Sequence, residues 1–203
     1  MTSGLVFYWF GWLIWIYAAF IMNIGKWRTF LVFWLLLIIC FSTITISVNG
    51  YNLALSLLLV ICGAMVMLAK QKYLIFNLFS SITIMILYLS IMLWENYFPL
   101  WMIHSKMFVM PFMIAITVLF ISKGFSDRIS IMLAGVCIGE LVHSFILASY
   151  SIPDTFGGYA FLDTVMIIVF LFSGIETAKV LFLKLRTLGV IYKKSFKILS
   201  KVQ

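Results

Sequence analysis

Four ionisable side chains lie inside long apolar stretches of the sequence, where a charged group needs a physical reason. They are Glu140, His143, Asp163 and Glu176. In hydrocarbon each such group costs about 2.5–3.5 kcal/mol on insertion scales. Glu140 and His143 are three residues apart, so they share one face of a helix. A carboxyl group beside an imidazole that titrates near neutrality is suited to passing a proton.

Asp163 belongs to the next apolar stretch, about one helical turn from its start. If the two stretches pack as a hairpin, the pattern predicts a polar ladder of Asp163, His143 and Glu140 that descends from the outer face. Gly135 and Gly139 would let the two helices approach closely there. The same three side chains are also suited to hydrogen bonds that fix neighbouring helices. A third alternative is that they bind one metal ion, although three side chains are few ligands for such a site.

Glu140 and His143 also match half of a di-iron carboxylate motif, Glu-x-x-His, which needs a second copy. The sequence has no second copy, and it has no nucleotide, haem or flavin signature. We therefore expect no metal and no cofactor, and we favour a protein that is not an enzyme. Glu176 precedes Lys179 by three residues, which predicts an exposed ion pair.

Composition decides the class of protein. Of 203 residues, 65% are apolar and 10% are charged, and the mean hydropathy is +1.20. Soluble domains are about 45–50% apolar and about 25% charged. The three cysteines, Cys40, Cys62 and Cys137, each lie in an apolar run and are interpreted as buried small hydrophobic residues. This composition excludes a soluble enzyme, a secreted disulfide scaffold and a disordered chain, and it predicts an integral membrane protein.

Seven stretches are long and apolar enough to be spanning helices, since about 20 such residues cross a bilayer. The sequence thus predicts an all-α, polytopic transmembrane helix bundle in residues 1–178. The predicted spans are 4–23, 29–48, 53–69, 73–93, 106–122, 129–149 and 159–178. The fourth carries a polar patch, predicted to form hydrogen bonds between helices, of Asn77, Ser80, Ser81 and Thr83.

The distribution of positive charge predicts the orientation. With seven spans, 13 of the 14 Lys and Arg residues fall on one side and Lys106 alone falls on the other. Positive charges concentrate on the cytoplasmic side, so we expect the N-terminus outside and the C-terminus inside. Met1-Thr2-Ser3 has no basic side chain, so the first span is expected to be retained rather than cleaved as a signal peptide.

The C-terminal segment, residues 179–203, is basic and amphipathic. Lys193, Lys197 and Lys201 are four residues apart and share one helical face. This pattern predicts a cytoplasmic helix on the surface of anionic lipid. A plain charged flank and a site for a protein partner or nucleic acid are the alternatives, and we expect no nucleic acid. The basic residues assigned to the lipid surface are Lys184, Arg186, Lys193, Lys194, Lys197 and Lys201.

The first thirty residues carry a resemblance to a known family. The run from Phe7 to Trp15, FYWFGWLIW, followed by Lys26-Trp27-Arg28, resembles the start of the YphA-type membrane proteins of Bacillus and relatives. The resemblance implies a bacterial protein of the plasma membrane and transfers no catalytic residue.

These observations favour a non-enzymatic, multi-pass membrane protein that acts through helix or tail contacts with membrane partners. The alternative is a small proton- or ion-coupled transporter or sensor that uses Glu140, His143 and Asp163. A third hypothesis is a membrane-embedded metal or lipid enzyme. A dry and fully hydrogen-bonded Glu140 would favour the first hypothesis, and a water-accessible path to it would favour the second.

Overall fold

Seven helices and three short strands make up the part of the chain that the structure describes. The computed structural model describes the backbone of residues 4–48, 51–97, 106–122, 124–150 and 155–199, with side chains at 4–47, 52–94, 109–122, 124–150, 155–179 and 182. The helices are α1 (Leu5–Ile16), continued by a π-helical turn (Tyr17–Ile21), α2 (Lys26–Phe41), α3 (Leu55–Ala69), α4 (Leu74–Tyr97), α5 (Lys106–Ile121), α6 (Phe125–Ser149) and α7 (Tyr159–Leu199). The strands are β1 (Thr45–Val48), β2 (Tyr51–Ala54) and β3 (Thr155–Phe156).

The predicted helical fold is confirmed, because each predicted apolar stretch contains one helix. A helix satisfies its own backbone groups, which apolar surroundings require. Three helices are long and apolar enough to cross a membrane, namely Leu74–Trp94, Phe125–Ser149 and Tyr159–Lys179. Shorter apolar helices cover Leu5–Ile21, Leu55–Ala69 and Val109–Ile121.

Helices α1, α3 and α7 begin at one end of the bundle, which we call the sheet end because the three strands lie there. Asp163, one turn into α7, accepts a hydrogen bond from the backbone of Gly4, just before α1. Leu53 in β2 pairs with Phe156 in β3, and these strands lead directly into α3 and α7.

Helices α2, α4 and α6 begin at the opposite end. We call it the basic end, because it carries Lys26, Arg28, Lys70, Lys72 and Arg128. Lys70, at the end of α3, lies over the ring of Trp27 in the first turn of α2. Near the start of α4, Asn77 contacts Asp127, which is near the start of α6. Successive helices therefore alternate in direction along the bundle.

A small sheet replaces parts of two predicted spans. The predicted second span ran to residue 48 and the third began at 53, but α2 ends at Phe41 and the two strands β1 and β2 follow. The strands pair antiparallel, with Val48 opposite Tyr51, and β3 adds to β2 in parallel. Short apolar runs do not distinguish a strand from the end of a helix, so the boundary placed at 48 was wrong.

The closest helix packing involves α6 and α4, not α6 and α7. A Cβ atom on Gly135 would lie 2.7 Å from the backbone oxygen of Ser81, and one on Gly139 would lie 2.8 Å from the ring of Tyr88. The two glycines thus permit a close approach, as predicted, but toward α4.

The interpretation of the cysteines as buried residues also needs correction, since Cys137 is buried whereas Cys40 and Cys62 are exposed. Lipid tails are as apolar as a protein interior, so an apolar run does not reveal which side faces inward.

Helix α7 continues from the last predicted span into the predicted tail, because Tyr159–Leu199 is one unbroken helix. The six basic side chains assigned to the lipid surface, from Lys184 onward, lie outside the described side chains, and Lys201 lies outside the described backbone. Their assignment to a lipid surface stays a prediction.

Candidate functional site

Asp163 holds the start of α1. Its Oδ2 accepts the N–H of Gly4 at 2.8 Å, and its Oδ1 accepts the N–H of Phe7 at 2.7 Å. The first N–H groups of a helix have no partner within the helix, and Gly4, at the N-cap position, supplies no side-chain cap. A carboxylate on another helix therefore does what an N-cap side chain ordinarily does, and it meets the positive end of the helix dipole.

Gly4 and Tyr159 fix this junction sterically. Gly4 has a φ of 94°, in the left-handed region, and a Cβ atom there would lie 2.7 Å from the ring of Tyr159 at the start of α7. The Tyr8 hydroxyl hydrogen-bonds with the Ser42 hydroxyl at 2.8 Å, which ties α1 to the end of α2. Asp163 is itself buried, and backbone donors satisfy both of its carboxyl oxygens inside the bundle.

Glu140 forms a second junction, between α4, α6 and the segment after α6. The Tyr88 hydroxyl donates to its Oε2 at 2.5 Å, and the Gly157 N–H donates to its Oε1 at 3.2 Å. Tyr88 is fully buried and Glu140 is 6% exposed. A hydrogen bond of this length between a hydroxyl and a carboxylate has the geometry of a charge-assisted bond.

Gly157 reaches Glu140 because the residues around it pack into the sheet end. It has a φ of 71°, and a Cβ atom there would lie 2.4 Å from the Cβ of Leu57. The preceding residue, Phe156, is buried, and its ring packs edge-on against Phe145 of α6, with centroids 5.4 Å apart. The segment that leads into α7 therefore packs between α3 and α6.

The structure places Asp163 and Glu140, two of the three predicted ladder residues, in different junctions. His143 is buried one turn beyond Glu140 on α6, as its spacing predicts. Within the described residues, however, Asp163 bonds to Gly4 and Phe7, and no hydrogen bond links it to Glu140 or His143. The described part of the chain also contains no group of three His, Cys, Asp or Glu residues that could hold a metal ion.

Two further sequence predictions concern polar groups on helix surfaces. Glu176 and Lys179 form the expected ion pair at 3.7 Å, with both side chains about half exposed. The patch on α4 differs from expectation, because Ser80, Ser81 and Thr83 donate to carbonyls one turn back in their own helix. Asn77 alone reaches another helix, with its Nδ2 3.5 Å from Oδ1 of Asp127.

Sequence reasoning missed the partners of both acids, Tyr88 and the backbone of Gly4, Phe7 and Gly157. Tyr88 had a detectable signal, since a tyrosine in an apolar helix needs a hydrogen-bond partner when buried. The backbone donors had none, because every non-proline residue carries an N–H group. What the two junctions do chemically is clear from their bonds: each carboxylate accepts donors from segments distant in sequence and fixes the sheet end.

Comparisons with known proteins agree with this picture of a membrane bundle. The chain is 24% identical to "Uncharacterized protein YphA" of Bacillus subtilis (strain 168) over 170 residues. The matched region covers 84% of this chain and 85% of that protein. No solved structure matches the chain significantly. The family model for YphA-like integral membrane proteins matches residues 3–197. The similarity therefore extends far beyond the aromatic first helix, and the chain belongs to the YphA-like integral membrane protein family.

Proposed function

We propose that this protein is a non-enzymatic, multi-pass protein of the bacterial plasma membrane. It acts through contacts of its helices and its basic C-terminal tail with membrane partners and anionic lipid. The observation that carries this proposal is that Glu140 and Asp163 are both buried and both accept hydrogen bonds from the chain itself. Acids used in this way stabilise helix packing, and the exposed charges remain at the basic end.

Seven crossings, with the N-terminus outside and the C-terminus inside, form part of the proposal. The alternating directions of the helices support it, as does the position of the positive charges at one end. The segment Leu5–Ile21 is about 25 Å long at 1.5 Å per residue, somewhat shorter than a hydrocarbon core of about 30 Å. Local thinning of the bilayer and interfacial tryptophans accommodate a mismatch of this size.

Reporter fusions test the threading. We expect a reporter that fluoresces only in the cytoplasm to be active after Gln203 and inactive in the loop between β1 and β2. A reporter that is active only outside the membrane should give the reverse pattern. Activity of the second reporter after Gln203 would refute the proposed orientation. Equal activity of one reporter at both positions would refute the odd number of crossings.

A proton-coupled transporter or sensor is the second candidate. The 2.5 Å hydrogen bond between Tyr88 and Glu140 favours it, because it joins two side chains that each carry an ionisable group. Proton flux into liposomes that contain the purified protein separates the candidates. Flux that disappears in Glu140→Gln at unchanged stability would replace the first proposal. Absence of flux in the wild-type protein, at verified reconstitution, would support the first proposal.

A further inference from the structure

A lysine at the basic end is held in place by an aromatic ring. The Lys70 Nζ lies 4.3 Å from the centroid of the Trp27 ring and 5.6 Å from that of Phe30. These distances are within the range of cation–π attraction. Trp27 and Phe30 pack edge-on at 5.9 Å, and Phe30 stacks on Trp34 at 6.1 Å. The turn after α3 is therefore anchored to the first turn of α2.

Two more lysines are close in sequence to Trp27 and Lys70, and none of the three lysines is neutralised by the described residues. Lys26 precedes Trp27, and Lys72 follows Lys70 by two residues; all three lysines are exposed. Within the described part of the chain, no carboxylate lies in ion-pair range of any of them. The first turn of α2 also contains no acidic residue.

Neighbouring charged groups are already engaged with the chain. Arg28 donates to the carbonyl of Ala19 at 2.5 Å, in the middle of the π-helical turn. Asp127 lies within 3.5 Å of Asn77 on α4. The positive charge that is available to a ligand at the turn therefore comes mainly from the ammonium groups of the three lysines.

We propose that Lys26, Lys70 and Lys72, together with Trp27, form a binding site for the headgroup of an anionic phospholipid. An anionic phosphate complements three ammonium groups, and basic pockets between membrane helices are suited to such headgroups. Trp27 is 42% exposed, as expected of a tryptophan at the level of the headgroups. Because its ring already orients Lys70, binding loses less side-chain entropy.

The surroundings select a lipid over a free phosphate ion. Ile24, just before α2, is 94% exposed, and Tyr73, just before α4, is 65% exposed. These apolar side chains flank the lysines on both turns and provide a surface for acyl chains. The site is separate from the C-terminal tail. It requires only that the basic end lies at a membrane surface, so it does not depend on the number of crossings.

Native mass spectrometry of the full-length protein in detergent tests the site. Bound lipid is counted during titration with phosphatidylglycerol or with phosphatidylcholine, and we expect tighter binding of phosphatidylglycerol. Each basic residue near an anionic lipid surface strengthens the affinity for that surface about fivefold. Lys70→Gln and Lys72→Gln should therefore each weaken binding of phosphatidylglycerol about fivefold. Trp27→Leu should weaken it about two- to fivefold, whereas Trp27→Phe keeps an aromatic face and most of the affinity.

Lys179→Gln is the matched control, since Lys179 is an exposed lysine that is already paired with Glu176. Its affinity for phosphatidylglycerol should stay within about twofold of the wild type, as expected for an exposed pair. Lys70→Arg retains the charge and should bind like the wild type, which excludes a folding defect as the cause of the loss. Equal losses in Lys70→Gln and Lys179→Gln, or equal affinity for the two lipids, would overturn the proposal. Displacement of the lipid by millimolar inorganic phosphate would assign the site to a soluble anion and would also overturn it.

Discussion

Replacement of Asp163 measures how strongly α7 holds the start of α1. In Asp163→Ala, the N–H groups of Gly4 and Phe7 lose acceptors at 2.8 and 2.7 Å. Removal of an N-cap costs about 1 kcal/mol and at most about 2 kcal/mol, and a hydrogen bond to a charged group contributes about 1.5–3 kcal/mol. We expect the free energy of unfolding to fall by about 2–4 kcal/mol, between the cost of one lost N-cap and that of two lost hydrogen bonds to a charged group.

Asp163→Asn gives an internal scale for this estimate. The asparagine carbonyl oxygen can accept one of the two hydrogen bonds, whereas its NH2 group cannot accept the other. The loss should therefore be about half of that in Asp163→Ala, or about 1–2 kcal/mol. Denaturant titration in mixed micelles measures the free energy, and hydrogen exchange of the peptide that contains α1 locates the change.

Glu176→Gln is the control, because it removes an acid from the same helix whose side chain is about half exposed and paired with Lys179. Its effect should be below about 1 kcal/mol, and exchange in α1 should not change. If Asp163→Ala unfolded like the wild type, or if exchange in α1 stayed at the wild-type rate, the capping role would be refuted.

Two glycine substitutions test the helix packing. Gly135→Ala should destabilise the protein by about 1–3 kcal/mol, because its Cβ atom would lie 2.7 Å from the backbone oxygen of Ser81. A Cβ atom on Gly174 would have nothing within 4 Å, so Gly174→Ala should be neutral or stabilising by up to about 1 kcal/mol in the same denaturant titration. Equal changes in stability for Gly135→Ala and Gly174→Ala would contradict the α4–α6 geometry. Gly63→Ala would place a Cβ atom 2.1 Å from the ring of Trp34, so it should break the 2.8 Å hydrogen bond from Trp34 to a carbonyl of α3 and shift the tryptophan emission. Unchanged emission, relative to a background lacking Trp34, would show that the ring is not packed there.

The sequence predicted the helices well because apolar runs in this composition have one good solution for the backbone. The sheet was not predicted, because β1 continues the apolar run of α2. Two signals marked it: Thr45-Ile46-Ser47-Val48 alternates polar and apolar residues, and Asn49-Gly50 is a favoured two-residue hairpin connection. Both signals lie where the predicted second span ends and the gap before the third begins.

The rotation of each helix about its axis could not be predicted from the sequence. In water, polar residues mark the outer face of a helix, but in lipid both faces are apolar. The hairpin hypothesis placed Asp163, His143 and Glu140 in one ladder, yet Asp163 is turned toward α1, whereas Glu140, one turn from His143, contacts α4. A contact between Asp163 and Gly4, 159 residues apart, leaves no trace in local spacing.

The two acid junctions share a physical logic that bears on where the proposed ligands and partners would bind. Glu140 and Asp163 both accept backbone N–H groups that have no partner in a regular helix, from Gly157, Gly4 and Phe7. An unsatisfied N–H group in lipid costs several kcal/mol, and a buried carboxylate without donors is also unfavourable. Each group therefore offsets the cost of the other, and these two acids are satisfied within the bundle. In the described chain no carboxylate pairs with Lys26, Lys70 or Lys72 at the basic end, so charged ligands are best sought there.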